Sequence, residues 1–131
     1  MPKPVILLID DEKSYAEVIK EALEINSVDV LLAHNAMDAL NIFQQVTPDL
    51  ILLDVMMPEV DGLSLLRWIR EHSENENLPI HVVSAKGQPE DRQAAIDAGA
   101  NGFLGKPFTV EELRTVIGQY VTLSPSNMQE A

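Results

Sequence analysis

Unbroken apolar runs alternating with amphipathic segments predict an α/β domain, a five-stranded doubly wound parallel sheet with five helices. Three observations carry the prediction. The runs at residues 5–9 and 50–53 contain no polar residue, as strands covered on both faces require. Between the runs, apolar residues recur at three- and four-residue spacing, the period of a helix with one buried face. The connections are short and rich in turn residues, and no repeat or low-complexity segment competes with this pattern. Right-handed crossovers put helices on both faces of such a sheet. Folds of this size commonly have strand order 2-1-3-4-5, with a ligand crevice beyond the C-terminal ends of strands one and three.

The first strand, residues 5–9, ends at Asp10 and Asp11. From Glu12 the period changes: Tyr15, Val18, Ile19, Ala22 and Leu23 mark a helix to about residue 25, and Asp11 is placed to cap it. Asn26 and Ser27 break that helix before a second strand at residues 28–33. Asn35 can cap a helix over residues 36–46 with Ala39, Leu40 and Phe43 inward, and Thr47 and Pro48 stop it. The third strand runs straight into Asp54. Asp61 and Gly62 then turn the chain into a helix over residues 63–70, with Leu65, Leu66 and Ile69 on its apolar side. A polar loop covers residues 72–77 and Pro79 introduces a fourth strand, residues 80–84. Pro89 suits the first position of a helix that Gly99 ends. Phe103 and Leu104 make a short fifth strand, terminated by Gly105, Lys106 and Pro107. Thr109 and Glu112 have the spacing of a capping box, opening a last helix with Val110, Leu113, Ile117 and Tyr120 inward. Residues 1–123 are expected to form one domain and residues 124–131 a flexible tail.

Composition narrows the function. A chain of 131 residues can bury a core without covalent staples. Having no cysteine, it can carry neither disulfides, nor thiolate metal sites, nor a cysteine nucleophile. The first apolar run is too short for a signal peptide or a membrane span, so the expected location is cytoplasmic. The formal net charge of -12, from 9 basic and 21 acidic residues, argues against this domain holding nucleic acid by itself. Most of those acids read as solvated surface.

In a parallel sheet all strands end on one side, so the fold collects Asp10, Asp11, Asp54, Ser84 and Lys106. Taken alone, Asp11 fits a helix cap more readily than a ligand, and Ser84 fits a loop cap as well as a phosphoryl contact. Carboxylates a few ångströms apart repel by a few kcal/mol per pair, roughly, and a divalent cation relieves this. Oxygen ligands, and histidines without ligand spacing, favour Mg²⁺ over zinc. A lysine and a serine facing a metal-bound aspartate suit phosphoryl oxygens, with one carboxylate as nucleophile, which favours phosphoryl transfer onto Asp54. His34, His72 and His81 are expected to play surface or core parts outside this group. Trp68 reads as a packing residue on the third helix, and Met56 and Met57 read more readily as packing than as a groove.

The segments IDDE at residues 9–12, DVMMPEVDG at 54–62, VSAKG at 83–87 and GANGFLGKPF at 99–108 together resemble the receiver domain of two-component response regulators, chemotaxis receivers included. The resemblance runs from residue 4 to about residue 121 and implies a flavodoxin-like receiver fold. It implies that Asp54 accepts a phosphoryl group from the phosphohistidine of a sensor histidine kinase or phosphotransfer protein. Asp10, Asp11, Asp54 and the backbone carbonyl of Met56 would organise Mg²⁺, with Mn²⁺ as a substitute. Ser84 and Lys106 would contact the phosphoryl group, and Phe103, which carries no hydroxyl, occupies the family's switch position. The Lys106–Pro107 bond is expected to be cis. Met56 and Lys86 stand where the family tunes phosphoryl lifetime.

On this reading the chain is no ordinary enzyme: it phosphorylates itself from a donor in a Mg²⁺-dependent reaction and dephosphorylates itself at Asp54. The output would be a remodelled surface of the fourth helix, fifth strand and fifth helix, with a phosphorylation-dependent dimer among the assemblies it allows. A phosphorylation-independent docking module is the main alternative. A true phosphohydrolase with an aspartyl nucleophile often carries a second acid two residues on, where this chain has Met56, and a flavin phosphate would be repelled by the acidic strand ends. The eleven residues after Tyr120 are too few for an output domain, which leaves a stand-alone receiver or the start of a longer protein.

Overall fold

The protein is described here by a computed structural model covering residues 3–57, 60–74, 76–85 and 87–123, without the side chain of Val60. Lys86 and the tail at residues 124–131 lie outside the described residues. The apolar runs form one parallel sheet of β1 (Val5–Ile9), β2 (Asp29–Ala33), β3 (Leu50–Asp54), β4 (Ile80–Ser84) and β5 (Gly102–Gly105), in the order β2-β1-β3-β4-β5. The helices are α1 (Lys13–Glu24), α2 (Ala36–Gln45), α3 (Gly62–His72), α4 (Pro89–Asp97) and α5 (Val110–Gly118).

The sheet has two dry faces, which explains the unbroken apolar runs. Leu7, Ile9, Ile51, Leu53, Ile80 and Val82 pack with Leu65, Leu66 and Ile69 of α3 and Ala95 of α4. Ile6, Leu8, Leu50 and Leu52 pack with Ala16, Ile19 and Leu23 of α1 and Leu113 and Ile117 of α5. All four residues of the run before Asp54 are at most 1% exposed, and each aliphatic side chain so buried contributes about 1.5–3 kcal/mol. This rigid strand aims Asp54 at the sheet edge. Among the described residues no helix is long and apolar enough to cross a membrane.

Most local expectations hold. The Asn35 side chain accepts from the Asp38 amide at 2.8 Å, and Asp61 accepts from the Leu63 amide at 3.1 Å. Pro89 opens α4, Gly99 with φ of 113° follows its end, and Thr109 and Glu112 form the reciprocal capping box. Several details differ. The cap position of α1 is Glu12, without a side-chain bond, and Asp11 does not cap. Asp10 instead folds back, its Oδ1 accepting from the Glu12 amide at 2.9 Å, the short local turn that aspartate favours. Val18 is 61% exposed, because the buried stripe of α1 is the narrower Ala16, Ile19 and Leu23. α3 extends to His72, whose ring stacks on Trp68 with centroids 4.1 Å apart. Trp68 in turn meets Phe43 edge-on, so it packs α3 against α2. Val110 and Tyr120 are half-buried, and Tyr120 lies just past α5.

His81 illustrates a buried polar group on a sheet strand. Its Nδ1 meets the Tyr120 hydroxyl at 2.9 Å, while its buried Nε2 finds no hydrogen-bond partner among the described residues. The ring fits because position 102 on the neighbouring strand is glycine: a Cβ there would stand 2.5 Å from the imidazole Cε1. Burial pulls the His81 pKa down to about 4. A base with a depressed native pKa leaves stability intact above its unfolded pKa of 6.5, and that stability is lost as pH falls through 6.5 toward 4. From pH 7 to about pH 5, wild type is therefore expected to lose about 2 kcal/mol more than His81→Leu, as read by urea denaturation. Equal losses would show that His81 takes up its proton in the folded state as easily as in the unfolded chain.

Candidate functional site

The parallel register brings the predicted strand-end residues together. Ile9 is level with Leu53, Asp54 with Val83, and Ser84 with Gly105, so Asp10, Asp54, Ser84 and Lys106 emerge at one edge. The Asp10 amide donates to the Ala33 carbonyl at 2.9 Å, extending the β1–β2 ladder one residue past Ile9. The Lys106 amide donates to the Ser84 carbonyl at 2.8 Å, doing the same for β4 and β5. Asp10, Asp54 and Ser84 are buried, and Asp11 is half-buried.

Carboxylate oxygens of Asp10, Asp11 and Asp54 all lie within 4.8 Å of one another. The Lys106 ammonium joins two of them, donating to Asp10 Oδ2 at 3.0 Å and to Asp54 Oδ2 at 2.9 Å. The second Asp54 oxygen accepts from the Met56 amide at 2.9 Å. Burial pushes the Asp54 pKa up, and repulsion from Asp10 adds to this; the Met56 amide and Lys106 oppose without cancelling it. Burial draws the Lys106 pKa down, but its hydrogen bonds to Asp54 and Asp10 outweigh that and the net displacement is upward. Three carboxylates against one ammonium leave two formal negative charges. A hard divalent cation matches both that charge and the oxygen donors, so the cluster fits Mg²⁺.

Met56 and Met57 behave differently from each other. They pair with Val60–Asp61 in a small antiparallel ribbon, Met56 with Asp61 and Met57 with Val60. Met57 enters the core, whereas the Met56 side chain is exposed. The Lys106–Pro107 peptide is cis. Phe103 stands away from the carboxylates, level with Val82 and half-buried, with the Arg92 guanidinium 5.0 Å from its ring centre.

Two contributors were not expected from the sequence. His34 does touch the group: it follows β2, and its ring Nδ1–H donates to the Asp10 carbonyl at 3.2 Å. Only the adjacency of β2 and β1 brings them together, and spacing along the chain carries no sign of it. Tyr15 of α1 places its ring 4.8 Å from the Lys106 ammonium; its helical period signalled a buried face but no partner. A cavity of about 270 Å³ beside these residues is lined by Glu12, Tyr15, Ala85, Lys106 and Pro107. A wider opening, about 1040 Å³, lies where Val5, Asp49, Pro79 and Tyr120 meet at the strand starts, away from the acidic cluster.

The arrangement has close counterparts in known proteins. The sequence profile of the response regulator receiver domain matches residues 6–118. The chain belongs to the response regulator receiver family. Over 108 residues this receiver is 42% identical to the response regulator MprA of Mycobacterium avium, which covers 82% of the chain but 46% of that relative. It thus spans about half the length of the curated relatives it matches. Among solved structures, the receiver domain of the Francisella response regulator 1452 superposes with a TM-score of 0.82 at 33% identity, covering 90% of this chain and 96% of that one. The chemotaxis protein CheY4 of Vibrio cholerae gives a TM-score of 0.85 at 28% identity, covering 91% and 99%. At the level of the family, this is a receiver-type domain of phosphorelay signalling.

Proposed function

We propose that this receiver accepts a phosphoryl group on Asp54 from the phosphohistidine of a sensor kinase or phosphotransfer protein. The observation that carries the reading is the Lys106 ammonium held between Asp10 and Asp54 at 3.0 and 2.9 Å, beside a third carboxylate. An ammonium so placed offsets the negative charge at this edge and stands where it can meet the oxygens of a phosphoryl group on Asp54.

In the transfer, the phosphorus–nitrogen bond of the donor breaks as a bond forms from an Asp54 oxygen to phosphorus. The imidazole leaves with the electron pair of the broken bond and takes a proton from solvent. Asp10, Asp11, Asp54 and the Met56 carbonyl would hold Mg²⁺, whose contribution when bound is to neutralise charge on the transferred group. Lys106 pairs with the phosphoryl oxygens and the Ser84 hydroxyl donates to one of them, because both reach the same edge. Phe103 and the surface of α4, β5 and α5 carry the change to a protein or domain partner. The exposed Met56 side chain, with Lys86, sets the access of the water that ends the signal.

Incubation with Mg²⁺ and a small phosphodonor is expected to add one acid-labile phosphate per chain, read by intact mass, and Asp54→Ala is expected to add none. Labelling of Asp54→Ala as fully as wild type would remove Asp54 from the role. Chelation of the metal is expected to suppress wild-type labelling by at least about tenfold, the scale on which lost charge stabilisation slows phosphoryl transfer.

A further inference from the structure

The receiver reading assigns Lys106 but says nothing of what holds its long side chain in place. Two of its contacts are carboxylates, at 3.0 Å to Asp10 and 2.9 Å to Asp54. Both are the groups that a cation or a phosphoryl group would engage. The third contact is of another kind: the Tyr15 ring, with its centroid 4.8 Å from the ammonium. An aromatic face attracts a cation through its quadrupole and carries no net charge. Its hold on Lys106 is therefore independent of how the carboxylate charge is being used.

The ring is itself fixed. Tyr15 precedes the fully buried Ala16 on α1, and it packs against Phe108 with centroids 6.1 Å apart at 59°. Phe108 lies two residues after Lys106, so this ring contact ties α1 to the chain leaving β5 close to the lysine in sequence. The cavity of about 270 Å³ lined by Tyr15, Lys106, Ala85 and Pro107 offers the lysine an alternative path to water. A lysine stem beside such an opening extends its charge toward solvent unless something retains it. The geometry points to Tyr15 as a positioning residue that keeps the Lys106 ammonium against Asp54 through the face of its ring, readying it for the phosphoryl group. This rests on Asp54 being the acceptor.

The hydroxyl has no part in this. Phenylalanine at position 15 should therefore substitute for tyrosine, and leucine should not. Two measurements on wild type, Tyr15→Phe and Tyr15→Leu test it. In the first, NMR of the Lys106 side chain, assigned by comparison with Lys106→Arg, should find its terminal methylene protons shifted upfield by the ring in wild type and Tyr15→Phe, and not in Tyr15→Leu. In the second, titration with beryllofluoride in saturating Mg²⁺ should be about fivefold or more weaker for Tyr15→Leu and within about twofold of wild type for Tyr15→Phe.

Affinity retained by Tyr15→Leu, or lost equally by Tyr15→Phe, overturns the proposal. Identical Lys106 shifts in all three proteins overturn it too. Should Tyr15→Leu fail to fold, Tyr15→Met takes its place with the same expectation. If wild type takes up no beryllofluoride, the acceptor reading fails and the Lys106 shifts alone decide whether the ring positions the lysine.

Discussion

Asp54→Asn is expected to abolish phosphate uptake and to make the metal-free protein more stable at neutral pH. The first follows from loss of the carboxylate nucleophile, the second from the burial of its charge. Burial beside Asp10 raises the Asp54 pKa above its ordinary 3.8, and the contacts from Met56 and Lys106 do not cancel the shift. An acid with a raised native pKa favours the fold below its unfolded pKa, and that contribution is lost as pH rises through the folded value. At neutral pH the charge on Asp54 is thus a cost to the fold, which an amide of the same shape removes while Lys106 keeps its bond to Asp10. The advantage should disappear below about pH 3.8, where wild type is protonated in both states. Mg²⁺ at a hundred times its dissociation constant should stabilise wild type by about 2.7 kcal/mol and Asp54→Asn by clearly less. Urea denaturation with and without the metal reads all three expectations. A destabilised Asn variant would mean that the Lys106 and Met56 contacts outweigh the burial.

Gly62→Ala is the second large expected effect, and here two principles predict opposite signs. Gly62 is the first residue of α3, where alanine would ordinarily favour the helix by up to about 1 kcal/mol. A Cβ at that position, however, would lie 2.3 Å from the Val55 Cα and 2.7 Å from its carbonyl oxygen. Backbone cannot rotate away as a side-chain tip can, so the clash should win and cost about 3 kcal/mol or more. Val55 sits between Asp54 and Met56, whose amide holds an Asp54 oxygen. The displacement should therefore also slow phosphate uptake. Thermal or urea unfolding gives the stability, and a stabilised Gly62→Ala would show that the Val55 segment yields easily.

These residues mark how far the sequence could be read. The strands of the sheet were legible because both faces are dry, so Leu50 to Leu53 needed no alternation to reveal a strand. The acidic cluster was legible because parallel strands end on one side, which gathers Asp10, Asp54, Ser84 and Lys106 whatever the loop lengths. Contacts between side chains of distant segments were not. Tyr15 and Lys106 are brought together by α1 lying against the exit of β5, and His34 reaches Asp10 only through the pairing of β1 with β2. The ribbon of Met56–Met57 with Val60–Asp61 escaped notice because two-residue strands leave no periodicity. The cap pattern at Asp11 did not separate a cap from a ligand: α1 starts without a side-chain cap, and Asp10 makes the local bond to the Glu12 amide.

The most direct measurement of the central claim is reduction of the phosphorylated protein with borohydride, which converts an acyl phosphate to an alcohol, followed by peptide mapping. The account predicts homoserine at position 54 alone, and only when both Mg²⁺ and a phosphodonor were present. Homoserine at position 10 or 11, or an acid-stable phosphate on Ser84, would contradict it.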